Sequence, residues 1–188
     1  MQMVCKNNHL KIVVVGEGGV GKTALIKTYQ AEKPVSDTVM TIAVQFHTKK
    51  VQIRGKEVSL QIWDLGGQKQ FFGMGVFKRY CQGAHAALVC FDLSDLDTLE
   101  EVPKWVKLLP KKAPKILVGT KKDKVEDDSV LDLIELYIKE LKFANYVETS
   151  SLEDPTSVKV AFEELLSIVP YSKIEQGIII PTQVLTVN

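Results

Sequence analysis

The sequence predicts an α/β domain: a mostly parallel six-stranded sheet with one antiparallel edge strand and helices on both faces. Three observations carry this expectation. Short unbroken apolar runs recur at Leu10–Val15, Ala86–Phe91, Lys115–Val118 and, more weakly, Tyr146–Val147. Continuous rather than alternating runs suit strands covered on both faces. Each run is followed by polar or glycine residues and then a helical pattern, the rhythm of strand–helix–strand units. Between the first two runs the texture changes. Val44–Ile53 and Glu57–Trp63 flank Arg54-Gly55-Lys56, and Val58, Leu60 and Ile62 alternate with polar residues, which reads as an antiparallel hairpin on one edge.

The helices follow in order. Gly21–Tyr29 leads straight out of the glycine-rich turn after the first run, and a further helix carrying Arg79 follows the hairpin. Asp97–Leu109 is helical in pattern, with Pro103 expected to bend or restart it. Ser129–Lys142 places Val130, Leu133, Ile134, Tyr137, Ile138 and Leu141 on one face. The last helix is the best marked: Asp154 as N-cap, Pro155 at the first position, then Val158, Ala161, Phe162, Leu165, Leu166 and Val169 inward, until Pro170 stops it. The expected organisation is an N-terminal extension over 1–9, one domain over 10–169 and a tail over 170–188. Within the tail, Gly177-Ile178-Ile179-Ile180-Pro181 is too apolar to stay solvated and is expected to dock on the domain or on a partner.

Composition narrows the function classes. Of 188 residues, 45% are apolar and 25% charged, which suits a soluble domain with a full core. The balance of 24 basic against 23 acidic residues argues against a strongly basic nucleic-acid binder. Cys5, Cys81 and Cys90 are widely spaced and share no metal-ligand spacing with His9, His47 and His85, so reduced thiols in a cytoplasmic protein are expected. No apolar run approaches the ~18 residues that cross a bilayer. Gln2 excludes N-myristoylation and Thr186-Val187-Asn188 offers no prenylation cysteine, so no lipid anchor is expected in this chain and any membrane association would run through a partner.

The chemistry begins at Gly16-Glu17-Gly18-Gly19-Val20-Gly21-Lys22-Thr23, a full G-x-x-x-x-G-K-T between an apolar strand and a helix. Glycines let the backbone curl so that several N–H groups point at phosphate oxygens, and the helix start adds positive dipole there. Lys22 would reach the β- and γ-phosphates, and the Thr23 hydroxyl would ligate Mg2+. A second element, Trp63-Asp64-Leu65-Gly66-Gly67-Gln68, closes the second hairpin strand. Asp64 there is placed to hold Mg2+, Gly67 to offer its N–H to a γ-phosphate, and Gln68 to orient an attacking water. Between them a threonine can close over Mg2+ and the γ-phosphate; Thr41 is preferred because Thr41–Phe46 leads straight into the edge strand, and Thr38 is the alternative.

A base site follows the buried run at Lys115–Val118. In Gly119-Thr120-Lys121-Lys122-Asp123, the Asp123 carboxylate can accept both N1–H and the 2-amino N–H of guanine, a donor pair that adenine lacks. The stem of Lys121 can lie over the base while its head returns to the phosphate loop. Glu148-Thr149-Ser150-Ser151, past the next strand, can give backbone N–H groups to the guanine O6.

Taken in order over about Lys11–Val169, these segments resemble a small GTPase of the Ras superfamily, a P-loop NTPase with the small G-domain fold. The resemblance implies Gly18, Gly19, Gly21, Lys22 and Thr23 on phosphate and Mg2+, with Val20 and Ala24 adjoining. It implies Thr41 in switch I, Asp64, Gly67 and Gln68 in switch II, and Thr120, Lys121, Asp123, Ser150, Ser151 and Leu152 around the base. Thr41-Ile42-Ala43-Val44 and Gly83-Ala84-His85 resemble Rab proteins, while Ile116–Asp123 with Thr120 resembles Rho proteins. Ile53-Arg54-Gly55 with Ile62–Gln68 and the same Thr120 also resembles fungal septation-signalling GTPases, and Trp63–Gln68 resembles Arf proteins without an N-terminal amphipathic pattern to support it. The implied activity is slow hydrolysis of GTP to GDP by Lys22 and Gln68, with effectors, an exchange factor and a GTPase-activating protein as partners. A nucleotide-stabilised interaction module with negligible hydrolysis is the alternative. An ATP-using kinase would need a lid and an acceptor site that the sequence does not display.

Three departures from the family pattern bear on affinity. Thr120 stands where many relatives have Asn, Gln30-Ala31-Glu32-Lys33-Pro34 lacks the aromatic that covers the guanine edge, and Ser151-Leu152 replaces Ala-Lys. A lost base stack alone is worth ~1–3 kcal/mol, so weaker nucleotide affinity than in typical relatives is expected. The apolar stretch Phe71, Phe72, Met74, Val76 and Phe77, broken by Gly73 and Gly75, is either core or a mobile, partly exposed effector patch.

Overall fold

The computed structural model describes residues 9–35, 41, 44–67, 75–125, 131–170 and 172. They form β1 (His9–Val15), α1 (Lys22–Ala31), β2 (Val44–Ile53), β3 (Lys56–Leu65), α2 (Val76–Cys81) and β4 (Ala86–Asp92). There follow α3 (Asp97–Glu100), α4 (Val102–Val106), β5 (Lys115–Thr120), α5 (Leu131–Glu140), β6 (Asn145–Glu148) and α6 (Pro155–Ser167). One 6-stranded sheet runs in the order β2-β3-β1-β4-β5-β6, with only the β2–β3 pair antiparallel.

The unbroken apolar runs are explained by two cores. Successive strand residues point to opposite faces. Leu10, Ile12 and Val14 of β1 therefore pack with Leu25 and Ile26 of α1 and Phe162 of α6, while Val13 and Val15 pack with Phe77, Trp105 and Ile134 on the other face. Tyr29 stacks on Phe162 with ring centroids 3.8 Å apart, which joins α1 to α6. The hairpin turns through Arg54 and Gly55, both at positive φ (50° and 77°), the geometry whose twist matches the flanking strands. Arg54 then donates to the Ser167 carbonyl at 3.1 Å and fastens the hairpin to the end of α6.

Two local outcomes refine the sequence reading. The helix expected over Asp97–Leu109 is two short helices joined at Glu101 (φ −81°, ψ −16°), with Pro103 in the first turn of the second, where its missing N–H costs nothing. Asp154 does cap α6, accepting from the N–H groups of Thr156 (3.1 Å) and Ser157 (3.2 Å). Ser129 and Val130, and the isoleucine run of the tail, lie outside the described residues.

This topology positions the site. Neighbours β1 and β4 send the chain to opposite sides of the sheet, and the loops at their carboxyl ends face a common crevice.

Candidate functional site

The loop from Gly16 to Gly21 connects β1 to α1 and folds around the head of Lys22. The Lys22 ammonium donates to the carbonyls of Gly16 (2.7 Å) and Glu17 (2.6 Å), and the residue is 5% exposed. Desolvation by burial holds its pKa below the usual lysine range, while the nearby Cys90, Asp64 and Glu17 push it back upward. Gly16 is fixed by crowding: a Cβ there would stand 2.2 Å from the Cys90 carbonyl oxygen, at a φ of +145°. Gly18 and Gly19 are exposed, Val20 is buried, and Ala24 is half-buried behind them.

Beside the loop, three side chains from distant parts of the chain meet. Thr23 donates to Asp64 Oδ2 at 2.6 Å, its hydroxyl lies 2.7 Å from that of Thr41, and Thr41 is 3.2 Å from the same carboxylate oxygen. Of the two threonines that the sequence left open, Thr41 is thus brought to Thr23 and Asp64; Thr38 lies outside the described residues. Asp64 is fully buried, and its Oδ1 has no hydrogen-bond partner. A buried carboxylate oxygen without a donor, beside two hydroxyls, fits a hard cation such as Mg2+. No group of three or more His, Cys, Asp or Glu among the described residues is placed to hold a metal. A cation here would accordingly depend on one carboxylate, hydroxyls and phosphate oxygens, which is how Mg2+ is usually held.

Gly67 follows β3 and lies directly on the phosphate loop. Its carbonyl accepts the Gly18 N–H at 3.1 Å, and a Cβ on Gly67 would come within 2.2 Å of Glu17 C and Gly18 N. Only glycine permits that approach. Gln68, the expected water-orienting residue, lies outside the described residues.

The second loop cluster lies at the ends of β5 and β6. Thr120 Oγ is 2.5 Å from the Val20 carbonyl and 2.8 Å from that of Phe91, so one hydroxyl proton serves two acceptors between the phosphate loop and β4. Lys121 takes a left-handed conformation (φ 58°). Its stem passes the phosphate loop, with Cε 3.9 Å from where a Cβ on Gly21 would be, but its head does not return to the loop as the sequence suggested. It pairs instead with Asp92 Oδ2 at 2.5 Å, because the register sets Asp92 beside Thr120 and a nearby carboxylate outcompetes neutral carbonyls.

Asp123 accepts the Ser150 hydroxyl at 2.6 Å, which orients its carboxylate. The Ser150 N–H, expected to face the base, donates to Ser157 Oγ at 3.1 Å. The serine in the first turn of α6 competes for it, leaving half-buried Ser151 and exposed Leu152 at the loop's open side.

Sequence reasoning missed two features. Asp92 carried a signal, a carboxylate closing an otherwise apolar run at the carboxyl end of a strand. The other is an aromatic surface. Phe46 on β2 is 61% exposed, meets Trp63 edge-on at 4.4 Å, and Trp63 lies 5.9 Å from Tyr80 of α2. Phe77 of the apolar stretch is core, the first of the two readings left open for it, packed 5.5 Å from Trp105; Phe71, Phe72 and Met74 lie outside the described residues.

A lysine-filled glycine loop at the carboxyl end of a central parallel strand defines a P-loop nucleotide-binding protein. Comparison with known proteins narrows that class: the model of the Ras family matches residues 11–170, and the chain belongs to that family. It is 33% identical to Ras-related protein Rab-11B of Dictyostelium discoideum, over 86% of this chain and 74% of that protein. It is 38% identical to Ras-related protein RABA5e of Arabidopsis thaliana, over 83% of this chain and 72% of that protein. With human Ras-related protein Rab-9B it shares 32% identity, over 82% and 80% respectively. The chain is a Rab-like small GTPase, a GTP-binding switch and GTP hydrolase. No helix among the described residues is long and apolar enough to cross a membrane.

Proposed function

We propose that this chain alternates between GTP- and GDP-bound forms with Mg2+, hydrolyses GTP slowly, and reports its state to protein partners in vesicle traffic. The observation that carries the reading is the convergence of Thr23, Thr41 and the half-satisfied Asp64 carboxylate next to the buried Lys22 head. Lys22 supplies positive charge where β- and γ-phosphate oxygens would lie, and the loop N–H groups orient them. Bound Mg2+ would neutralise charge on the same oxygens. Thr23 and Asp64 would hold it, with Thr41 closing over them. Because Thr41 comes from a different segment than Thr23 and Asp64, its engagement couples nucleotide state to the conformation of that segment.

Gln68 is assigned to orient the attacking water, from its place next to Gly67. Gln68→Leu is expected to slow single-turnover GTP hydrolysis about tenfold or more while GTP binding persists; unchanged turnover would remove Gln68 from this role. The same assay separates an enzyme from an interaction module, in which bound GTP would stay intact in the unaltered protein. Neither described arginine supplies a charge to the loop: Arg54 is bound to the Ser167 carbonyl and Arg79 is exposed on α2. Fast turnover therefore calls for a cation from a partner.

Effectors are assigned to the aromatic surface of Phe46, Trp63 and Tyr80, which shares β2, β3 and α2 with the segments bearing Thr41 and Gly67. An exposed aromatic on the edge strand, flanked by two half-buried ones on β3 and α2, favours a protein partner. Membrane association, on this reading, is peripheral.

Nucleotide affinity is expected to be lower than in typical relatives. Thr120 ties the loops with a single shared proton, the Lys121 head is committed to Asp92, and the segment after α1 offers Lys33 and Pro34 where an aromatic would stack. Release of a fluorescent GDP is expected within minutes even with Mg2+ present and faster after EDTA; Mg2+-bound release lasting many hours would contradict this.

A further inference from the structure

The lysines around the start of β5 form a basic face at the end of the sheet away from the phosphate loop. β1, β4 and β5 run parallel, and the phosphate loop follows the last residue of β1, whereas Lys115 opens β5. Lys111 and Lys112 are exposed on the turn before it, which the Ala113 N–H closes on the Pro110 carbonyl at 3.0 Å. Lys107 is exposed after α4. Lys142, also exposed, is brought alongside by the Ala144 N–H, which donates to the Lys115 carbonyl at 2.9 Å. No Asp or Glu stands between Glu101 and Asp123, and Glu140 at the end of α5 is matched in sequence by Lys139. Lys104 is paired with Glu101. The ammonium groups of Lys107, Lys111, Lys112, Lys115 and Lys142 meet no hydrogen-bond acceptor or carboxylate among the described residues.

Lys115 is the unusual member. It is only 9% exposed, yet its ammonium has no acceptor and sits 5.6 Å from the centroid of the Phe143 ring. Desolvation, and then repulsion from Lys142, hold its pKa below the usual lysine range. An ammonium so placed is costly without a counter-charge, and an anion between Lys115 and Lys142 would supply it.

The kind of anion follows from what surrounds the lysines. Ammonium groups on flexible stems are point charges that suit phosphate oxygens free to move and meet them. The large side chains at this end, Trp105, Leu109 and Phe143, are turned into the core, so they offer neither a ring for a nucleobase nor an apolar anchor for a protein. A layer of anionic headgroups needs neither. With a formal net charge of +1 the chain as a whole is hardly drawn to such a layer, so the attraction has to be local.

We propose that this face lies on anionic lipid, with phosphate headgroups received between Lys115 and Lys142 and gathered by Lys107, Lys111 and Lys112. The proposal rests on the peripheral membrane association read above and names its surface, which turns the phosphate loop away from the bilayer.

The test is flotation of the full chain, loaded with fluorescent GDP, on vesicles of phosphatidylcholine alone or with phosphatidylserine, at low ionic strength. Partition onto the serine-containing vesicles is expected to exceed that onto neutral ones about tenfold or more and to fall as salt is added. Each lysine near an anionic surface contributes about fivefold, so the variant Lys111→Gln, Lys112→Gln is expected to lose about tenfold or more. The variant Lys50→Gln, Lys159→Gln removes the same charge from lysines paired with Glu57 and Glu163, and is expected to stay within about twofold. Lys115→Met is expected to weaken partition several-fold while its thermal melt holds or rises, because a buried unpaired charge is gone. Equal partition onto both vesicles, undiminished partition in the two cluster variants, or binding to polyglutamate in place of vesicles would overturn the proposal. Vesicle binding that persists in the cluster variants overturns this face and leaves peripheral association standing, and the retained fluorescent GDP reads the nucleotide function separately.

Discussion

Replacing Lys22 with alanine is expected to weaken guanine-nucleotide binding by about 10²–10⁴-fold, the effect of losing two charge-assisted hydrogen bonds of ~1.5–3 kcal/mol each. The loss should be large because the ammonium works in a site shielded from water, where burial already depresses its pKa. The free protein is affected too. The Gly16 and Glu17 carbonyls lose their shared donor, at a cost of about 1–3 kcal/mol if water does not replace it. Lys22→Arg keeps the charge but must fit a larger planar head into the same enclosed loop, and it is expected to bind nucleotide nearly as poorly. Titration of fluorescent GDP checks both variants, with a thermal melt to verify folding. Affinity within about threefold of the unaltered chain would contradict the role of Lys22.

Asp123→Ala should be comparably damaging, and selectively so. Two guanine N–H donors facing one carboxylate make ~3–6 kcal/mol, or about 10²–10⁴-fold in affinity. The carboxylate is already aimed, since Ser150 donates to one oxygen at 2.6 Å and leaves that oxygen's second lone pair and the other oxygen for the base. The discriminating readout is the ratio of GDP to ADP affinity, which should collapse towards one in the variant because adenine never used the carboxylate. Ser150→Ala removes only the aim, and its loss should be several-fold. A variant that weakens both nucleotides equally would mean that Asp123 is structural.

Much of the fold was legible because its determinants are local. Val13 and Ile12 are both buried since β1 lies between two helical layers, and an unbroken apolar run is what that requires. The cap at Asp154 and the positive-φ turn at Arg54-Gly55 are likewise decided within a few residues. What was not legible depends on meetings across the chain. The pairing of Lys121 with Asp92 follows from the β4–β5 register, and the capture of the Ser150 N–H by Ser157 from how α6 seats against β6. Phe77 and Phe46 show the same limit: both are aromatic beside polar residues, yet one fills the core under Trp105 and the other faces solvent on the edge strand. The joining of Thr23, Thr41 and Asp64 lies between these cases, since each was suggested by its motif but only the fold brings their oxygens within reach of one another.

Guanine selectivity joined to the phosphate loop is the central claim, and nucleotide competition tests it most directly. With fluorescent GDP bound to the full chain in Mg2+, unlabelled GDP and GTP should displace it at similar concentrations, and ATP or ADP should fail even at about hundredfold excess. Displacement by ATP at the concentration that suffices for GTP would contradict guanine selection by Asp123.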